Sequence, residues 1–268
     1  MPFVANFHTH TWRCDHASGD CLDYAKEAVA AGMRVLGFSD HTPLPDGTWD
    51  DMRMSMDQIA GYEAAVEAAR VAYPQLSIPI GLECEFAPDY QAFYQDEILG
   101  RRGYDYLIAG CHFTPIDGRW IPSFGHLTDG RRLAAYAAYV IQTMESGLFA
   151  FVTHPDLIGV GLSAWTPEAA SCARDICAAS AALGVPLEIN SYGIRKPWVD
   201  GGVSGQRPAY PWDPFWAVAA EHRVSVVLSS DAHRPQDVAA GWDEVAAMRD
   251  RHGLVEADLS HLERVNRR

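Results

Sequence analysis

Seven times along this chain an apolar, strand-like run ends in a polar residue, and six of those ends carry His, Glu or Asp. Val4-Ala5-Asn6-Phe7 leads into His8-Thr9-His10, with His16 shortly after. Val35-Leu36-Gly37-Phe38 leads to Asp40-His41, the run 78–82 to Glu83, and the run 107–111 to His112. Phe151-Val152-Thr153 reaches His154, and the run 224–228 opens into Ser230-Asp231-Ala232-His233. Only the run 185–189 ends in an uncharged residue, Asn190. Groups scattered through sequence but repeatedly set at strand ends can all meet at one mouth of a parallel barrel.

Amphipathic stretches with helix start signals lie between the runs. Asp20 caps a predicted helix over 21–31, and Ser55 caps one over 56–73 that stops before Pro74. A shorter helix is expected over 89–99. Another, over 129–145, places Leu133, Tyr136, Val140 and Met144 at helical spacing. Thr166-Pro167 opens a helix to about Leu183, Asp213-Pro214 opens one over 215–221, and 235–251 follows the last strand. Strands alternating with helices argue an α/β fold with a parallel sheet. Seven such units suggest a barrel with one unit fewer than the usual eight, its site at the C-terminal mouth of the strands. No linker or repeat interrupts the 268 residues, so 1–268 reads as a single domain. The stretches 42–53, 113–128 and 191–212 read as irregular loops, and each follows a strand end that carries site residues.

His8 and His10 lie two apart, so on a strand both face the same side. With His16, His41, Glu83, His112, His154, Asp231 and His233 they make nine candidate ligands. One tetrahedral site uses three or four. Two or three divalent metal ions sharing a bridging carboxylate would use all nine, and Glu83 is the natural bridge. Imidazole and carboxylate together suit Zn, Fe or Mn without singling one out. His16 and His41 also admit a surface reading, and Asp40 and Asp156 either orient ligands or serve as loop and capping residues. Arg195, in Asn190-Ser191-Tyr192-Gly193-Ile194-Arg195-Lys196, suits a phosphate bidentately or is a solvated loop arginine. His126 reads as exposed.

Paired metals acidify a bridging water and clamp attacking and leaving oxygens, which makes a metal-bound hydroxide the expected nucleophile. Phosphate-monoester hydrolysis needs the largest accelerations known, and fixed cations facing a dianion are the evident source. No G-x-S-x-G elbow and no GxxxxGK[ST] loop is present. The net charge of −14 and the lack of a Lys/Arg run argue against nucleic acid as a partner. No apolar run is long enough to span a membrane. Met1-Pro2-Phe3-Val4 enters the first strand at once without the marks of a secretory signal. Six scattered cysteines, two of them beside Glu83 and His112, read as buried thiols, with cytoplasm the default compartment.

The motifs His8-Thr9-His10-Thr11…Cys14-Asp15-His16-Ala17, Phe38-Ser39-Asp40-His41-Thr42-Pro43-Leu44, Gly81-Leu82-Glu83, Gly110-Cys111-His112-Phe113, Thr153-His154-Pro155-Asp156 and Ser230-Asp231-Ala232-His233 resemble the PHP (polymerase and histidinol phosphatase) superfamily. Glu188-Ile189-Asn190-Ser191…Gly193-Ile194-Arg195-Lys196 and Tyr210-Pro211 resemble its histidinol-phosphatase branch. The resemblance implies an α/β fold, a distorted TIM-like (β/α)7 barrel, with a trinuclear metal centre. His8, His10, Glu83 and Asp231 would hold one metal, Glu83, His112 and His154 a second, and His16, His41 and His233 the third. It also implies hydrolysis of a small anionic phosphate ester, L-histidinol phosphate, in histidine biosynthesis, with Arg195 on the phosphate. One stretch departs from that branch. A second basic residue is expected soon after the fifth-strand histidine, and 155–161 contains none, which bears on phosphate affinity and substrate choice. The competing readings are an amidohydrolase, disfavoured by His16, His41 and Glu83, a phosphodiesterase or exonuclease, disfavoured by the acidic charge, and a non-catalytic metal-binding module, disfavoured by the complete ligand set.

Overall fold

The fold was obtained as a computed structural model, which describes residues 4–263; Met1-Pro2-Phe3, read above as entering the first strand, lie outside them. The chain divides into two compact units. Among the described residues the first comprises 4–108, Ser229–Trp242 and 258–263; the second comprises Ala109–Leu228 and Asp243–Ala257.

In the first unit β1 (Ala5–Asn6) pairs in parallel with β2 (Val35–Leu36). β3 (Gly81–Cys84) pairs with β4 (Tyr106–Ala109), whose last residue opens the second unit. Isolated parallel bridges extend the order: Thr9 to Ala232, Phe38 to Ile80, and His41 to Glu83. Two helices cover these strands, α1 (Cys21–Ala30) and α2 (Ile59–Ala72). Asp20 and Asp23 form a capping box at the start of α1, where their carboxylates satisfy amides that the first turn leaves unpaired. The apolar spacing buries Cys21, Tyr24, Ala25 and Ala28 of α1, and Tyr62, Val66 and Ala69 of α2. At the strand layer, Tyr106 donates its hydroxyl to Phe7 O (2.8 Å) and Phe38 O (3.1 Å). Its ring lies where a Cβ on Gly37 or Gly81 would stand, 2.4 and 2.6 Å from the nearest tyrosine atoms. Both positions therefore require glycine.

In the second unit the hairpin β5 (Phe113–Ile116) and β6 (Arg119–Pro122) is followed by α3 (Gly130–Glu145) and α4 (Pro167–Leu183). The parallel order runs Ala109, Val152, then β7 (Leu187–Asn190). Past β7 come the four-residue α5 (Tyr192–Arg195), the hairpin β8 (Val199–Asp200) and β9 (Gln206–Arg207), and α6 (Asp213–Glu221). β10 (Ser225–Ser229) then lies between β7 and β11 (Val255–Glu256), with α7 (Trp242–His252) preceding β11. Phe151, Tyr136, Ile176, Phe215 and Trp216 are fully buried in this unit's core.

An α/β fold with parallel strand order is thus established, and among the described residues the strand ladders form no closed sheet. Five local expectations change. Residues 56–58 form a 3-10 turn ahead of α2, and the short helix after Glu83 is a 3-10 turn (Pro88–Tyr90) leading to a π-helix (Phe93–Arg101). The stretch 235–251 is broken at Gly241, whose φ of 73° no right-handed helix accommodates. The loop 113–128 contains the β5–β6 hairpin. Its two-residue turn, Asp117-Gly118, has φ of 52° and 73°, the mirror-image turn that suits the right-handed twist of paired strands. The loop 191–212 contains α5 and the second hairpin.

Candidate metal centre

Backbone register carries the first unit's side chains to one place. Thr9 pairs with Ala232, and His10 N donates to Ala232 O at 3.0 Å. Ser39 N donates to Thr9 O (3.1 Å), and Thr42 N donates to Glu83 O (2.9 Å). The buried Asn6 ties the ends together. Its Nδ2 donates to Ser230 Oγ (2.6 Å) and Val238 O (3.1 Å), while its Oδ1 accepts from His8 N (3.1 Å).

Glu83 Oε2 consequently lies 3.3 Å from His8 Nε2, 3.5 Å from His10 Nε2 and 3.2 Å from His41 Nδ1. Asp231 Oδ1 lies 3.1 Å from His10 Nε2, 3.5 Å from His8 Nε2 and 3.3 Å from His233 Nδ1. His16 is exposed, yet its ring centroid is 5.2 Å from that of His41 and 5.0 Å from that of His233. The ligand atoms of His8, His10 and Asp231 lie within 4.8 Å of one another, as do those of His10, His41 and Glu83, and those of His16, His41 and His233. His10, Cys14 and His233 form a further set. Cys14, quoted above only as part of a motif, is brought there by the 3-10 turn Trp12–Cys14 that follows His10.

Buried imidazoles and carboxylates crowded this closely need positive charge to compensate them. Without a cation, protons take that part. Burial alone would lower His10, but hydrogen bonds to Asp231 and Asp40 hold it well above its ordinary value. Burial alone would raise Asp231, but the charge of His8 and hydrogen bonds from His10 and His233 hold it well below. Partial burial of the ring nitrogens and the neighbouring His233 and His10 push His16 down to about 4, which leaves it at neutral pH as an uncharged imidazole, the form that can ligate a metal. The donor set fits divalent metal ions.

Asp40, ambiguous in sequence, does two things. Its Oδ2 accepts from the Thr11 amide (3.0 Å) and hydroxyl, and its Oδ1 accepts from His41 N at 2.8 Å. The same Oδ1 stands 3.5 Å from His10 Nδ1, on the far side of the ring from Nε2. A carboxylate behind an imidazole fixes its orientation and raises its basicity.

The second unit brings His112 and His154 together, ring centroids 5.0 Å apart. His154 N donates to Glu188 Oε2 (2.9 Å), which also accepts from Asn190 Nδ2 (2.8 Å). Glu188, quoted above only as part of a motif and given no role there, shares a strand face with Asn190, two residues on. His154 has a φ of 30°, a conformation that the Glu188 contact helps to hold. Phe124 stacks on His112 at 5.8 Å, and Tyr210 meets His154 at 5.7 Å. Gly193 admits Tyr210 this close, since a Cβ there would fall 2.3 Å from Tyr210 O. Arg195 is half-buried, with Nη1 donating to Ser191 O (3.2 Å) and Ser191 Oγ (2.9 Å). His126 is exposed, as expected. Asp156 Oδ2 accepts from Trp212 N (2.6 Å) and Trp216 Nε1 (2.8 Å). It anchors the start of α6. Among the described residues no helix is long and apolar enough to cross a membrane.

An α/β chain whose strand ends gather imidazoles and carboxylates in this way is, by fold and site, a protein built to hold several metal ions. The PHP domain family model matches residues 6–192. A protein of Deinococcus radiodurans named "probable histidinol-phosphatase" is 33% identical over 260 residues, covering 93% of this chain and 94% of its own. The histidinol-phosphatase of Bacillus subtilis is 27% identical, covering 88% of this chain and 96% of its own. Among solved structures, one named for a histidinol phosphatase of Listeria monocytogenes aligns with a TM-score of 0.73 at 21% identity, covering 90% of this chain and 99% of its own. The histidinol phosphate phosphatase of Lactococcus lactis, complexed with Zn, L-histidinol and phosphate, aligns with a TM-score of 0.70 at 16% identity, covering 94% and 95%. The chain belongs to the PHP domain family.

Proposed function

We propose that this protein is a metal-dependent histidinol-phosphatase, converting L-histidinol phosphate and water to L-histidinol and phosphate in histidine biosynthesis, in the cytoplasm. The observation that carries the metal dependence is Glu83 Oε2 standing within 3.5 Å of three imidazole nitrogens. The substrate rests on the relatives, whose likeness spans nearly the whole chain. The assignment of residues follows the family pattern: His8, His10, Glu83 and Asp231 for one metal, Glu83, His112 and His154 for a second, and His16, His41 and His233 for a third. Zinc is the favoured ion, since zinc is bound in the Lactococcus structure. The architecture proposed for 1–268 is a single distorted (β/α)7 barrel, with the nine ligands at its C-terminal mouth.

Bound divalent ions supply an acidified water and fixed charge against the phosphoryl oxygens. The chain's own residues do the rest. Asp40 keeps His10 turned with Nε2 toward the carboxylates, and Glu188 keeps His154 in its unusual backbone conformation. Burial of His8, His10, Glu83 and Asp231 keeps bulk water from screening their charges. Arg195 is assigned to the substrate phosphate. The missing base in 155–161 leaves this pocket with less positive charge than the branch pattern expects.

The test is a phosphate-release screen of zinc-, iron- and manganese-loaded protein across small monoesters. Histidinol phosphate is expected to be the best substrate. Release from another ester but none from histidinol phosphate would remove the substrate assignment, and release from no ester would remove the phosphatase reading.

A further inference from the structure

The β5–β6 hairpin and the first turn of α3 border a cavity of about 480 Å³, a size that suits a small molecule. Neither His112 nor His154 lines it. In the hairpin register Thr114 pairs with Ile121 and Ile116 with Arg119, so alternation sets Ile116, Arg119 and Ile121 on one face. Those three side chains line the cavity, two of them branched and apolar, the third a guanidinium. The walls are held in place. Ser123 N donates to His112 O at 2.6 Å, and the hydroxyls of Thr114 and Ser123 meet at 2.9 Å. On α3, the Tyr139 ring meets Trp120 of β6 edge-on at 5.7 Å.

Two further arginines and two aspartates complete the charged lining. Arg131 pairs with Asp117, and Arg132 pairs with Asp129 at 3.4 Å and donates to His126 O at 2.8 Å. Two carboxylates thus answer two of the three guanidiniums, and the exposed Arg119 leaves one positive charge in excess. In a protein of net charge −14, that local sign is the reverse of the whole. Ile116 and Ile121 are only half-buried, so apolar surface stands open beside the charge. A guanidinium next to apolar surface suits a ligand that is anionic at one end and apolar at the other.

We propose that this cavity is a binding site for a small organic monoanion with an apolar body. The charged group lies on Arg119, and the body lies against Ile116 and Ile121. One excess charge on the lining matches one charge on the ligand. The site stands apart from the phosphatase reading, since no proposed metal ligand and no residue assigned to the phosphate contributes to it.

Naphthalene-1-sulfonate, titrated into the full-length zinc-loaded protein in a calorimeter, tests the site, because its weakly basic sulfonate competes poorly for zinc. Arg119→Gln is expected to weaken binding about tenfold, the ratio corresponding to one charge-assisted hydrogen bond. Arg119→Lys, which keeps the charge, should stay within about threefold of the parent. Asp117→Asn should tighten binding about threefold, since it removes a lining carboxylate while Asn-Gly preserves the mirror-image turn. The uncharged 1-naphthalenemethanol should bind the parent about tenfold more weakly than the sulfonate. Zinc content and Tm should be unchanged in all three variants. No sulfonate binding by the parent, or unaltered affinity in Arg119→Gln, would overturn the proposal. Weaker binding by Asp117→Asn, or equal affinity for the uncharged alcohol, would overturn it as well.

Discussion

In the first unit, Glu83 and Asp231 each meet three imidazole nitrogens within 3.5 Å, and parallel backbone contacts from Ala232 through Thr9 and Ser39 and from Thr42 to Glu83 position the residues that carry them. In the second, His112 and His154 stand among Phe124 and Tyr210, and a single buried carboxylate, Glu188, holds the backbone of His154. The former is preorganised by the main chain and is rich in charge; the latter is shaped by side chains and is largely aromatic. The two buried aspartates show the contrast directly. Asp231 is held well below its ordinary pKa because His8, His10 and His233 outweigh the cost of burial. Asp156 is pushed up to about 7 because burial dominates, and the bonds from Trp212 and Trp216 offset only part of it. The same residue type is thus an anion in one unit and close to half-protonated at neutral pH in the other.

The sharpest way to break the contrast is to remove charge from the first unit. Asp231→Ala should lower kcat/KM by well over about a hundredfold, beyond the scale at which residues merely supporting a ligand act. It should also reduce bound metal measured by atomic absorption, while the far-UV circular dichroism stays unchanged. Full activity in that variant would end the reading of Asp231 as a metal-holding residue.

Next in size are the two supporting carboxylates. Asp40→Asn and Glu188→Gln should each cost about 10- to 100-fold in metal affinity or kcat. Asp40→Asn acts on a ring and should appear chiefly as weaker metal binding in chelator competition. Glu188→Gln acts on a backbone amide and should appear chiefly in kcat. Equal metal affinity across both variants and the parent would erase the distinction between the units.

The third effect is a pH dependence. Metal must displace the proton that Asp231 and Asp40 hold on His10, so metal affinity should fall as pH drops below the raised pKa of that imidazole, about tenfold per pH unit for each proton displaced.

The smallest effect concerns stability. Native Asp156 keeps its proton up to about pH 7, whereas an unfolded aspartate releases it near 3.8. The native state therefore binds more protons across that window, and Asp156 makes stability fall as pH rises from about 4 to 7. Asp156→Asn should flatten that fall in thermal melts recorded between pH 5 and 8. An identical pH profile in the variant would show that burial at this position carries no proton.

Much of the first unit was legible because its clustered imidazoles and carboxylates stand at the ends of apolar runs, and the parallel order of those runs follows from alternation with capped helices. Asp20, Thr166-Pro167 and Asp213-Pro214 open helices within a residue or two of expectation, since capping chemistry is local. The second unit was less legible for the opposite reason. The pairing of β5 with β6 depends on a two-residue turn inside a polar stretch, and the positions of Lys196 and Phe124 depend on ring contacts between residues 72 apart. Glu188 was visible as an alternating strand residue, but its partner, the amide of His154, is a backbone group that no motif marks. The break at Gly241 and the π-helical turn after Tyr90 record backbone choices that side-chain periodicity does not encode.

Gly81 supplies no ligand, donor or charge, yet it stands two residues before Glu83 on the same face of β3, with the Tyr106 ring packed where a methyl group would be. Room for that ring is a condition on the whole ledge from which the Glu83 carboxylate projects. A lineage that acquired alanine there would keep every metal-seeking group in its sequence and still present them out of true. An inspection of motifs alone would score such a descendant as intact, while its chemistry had already gone.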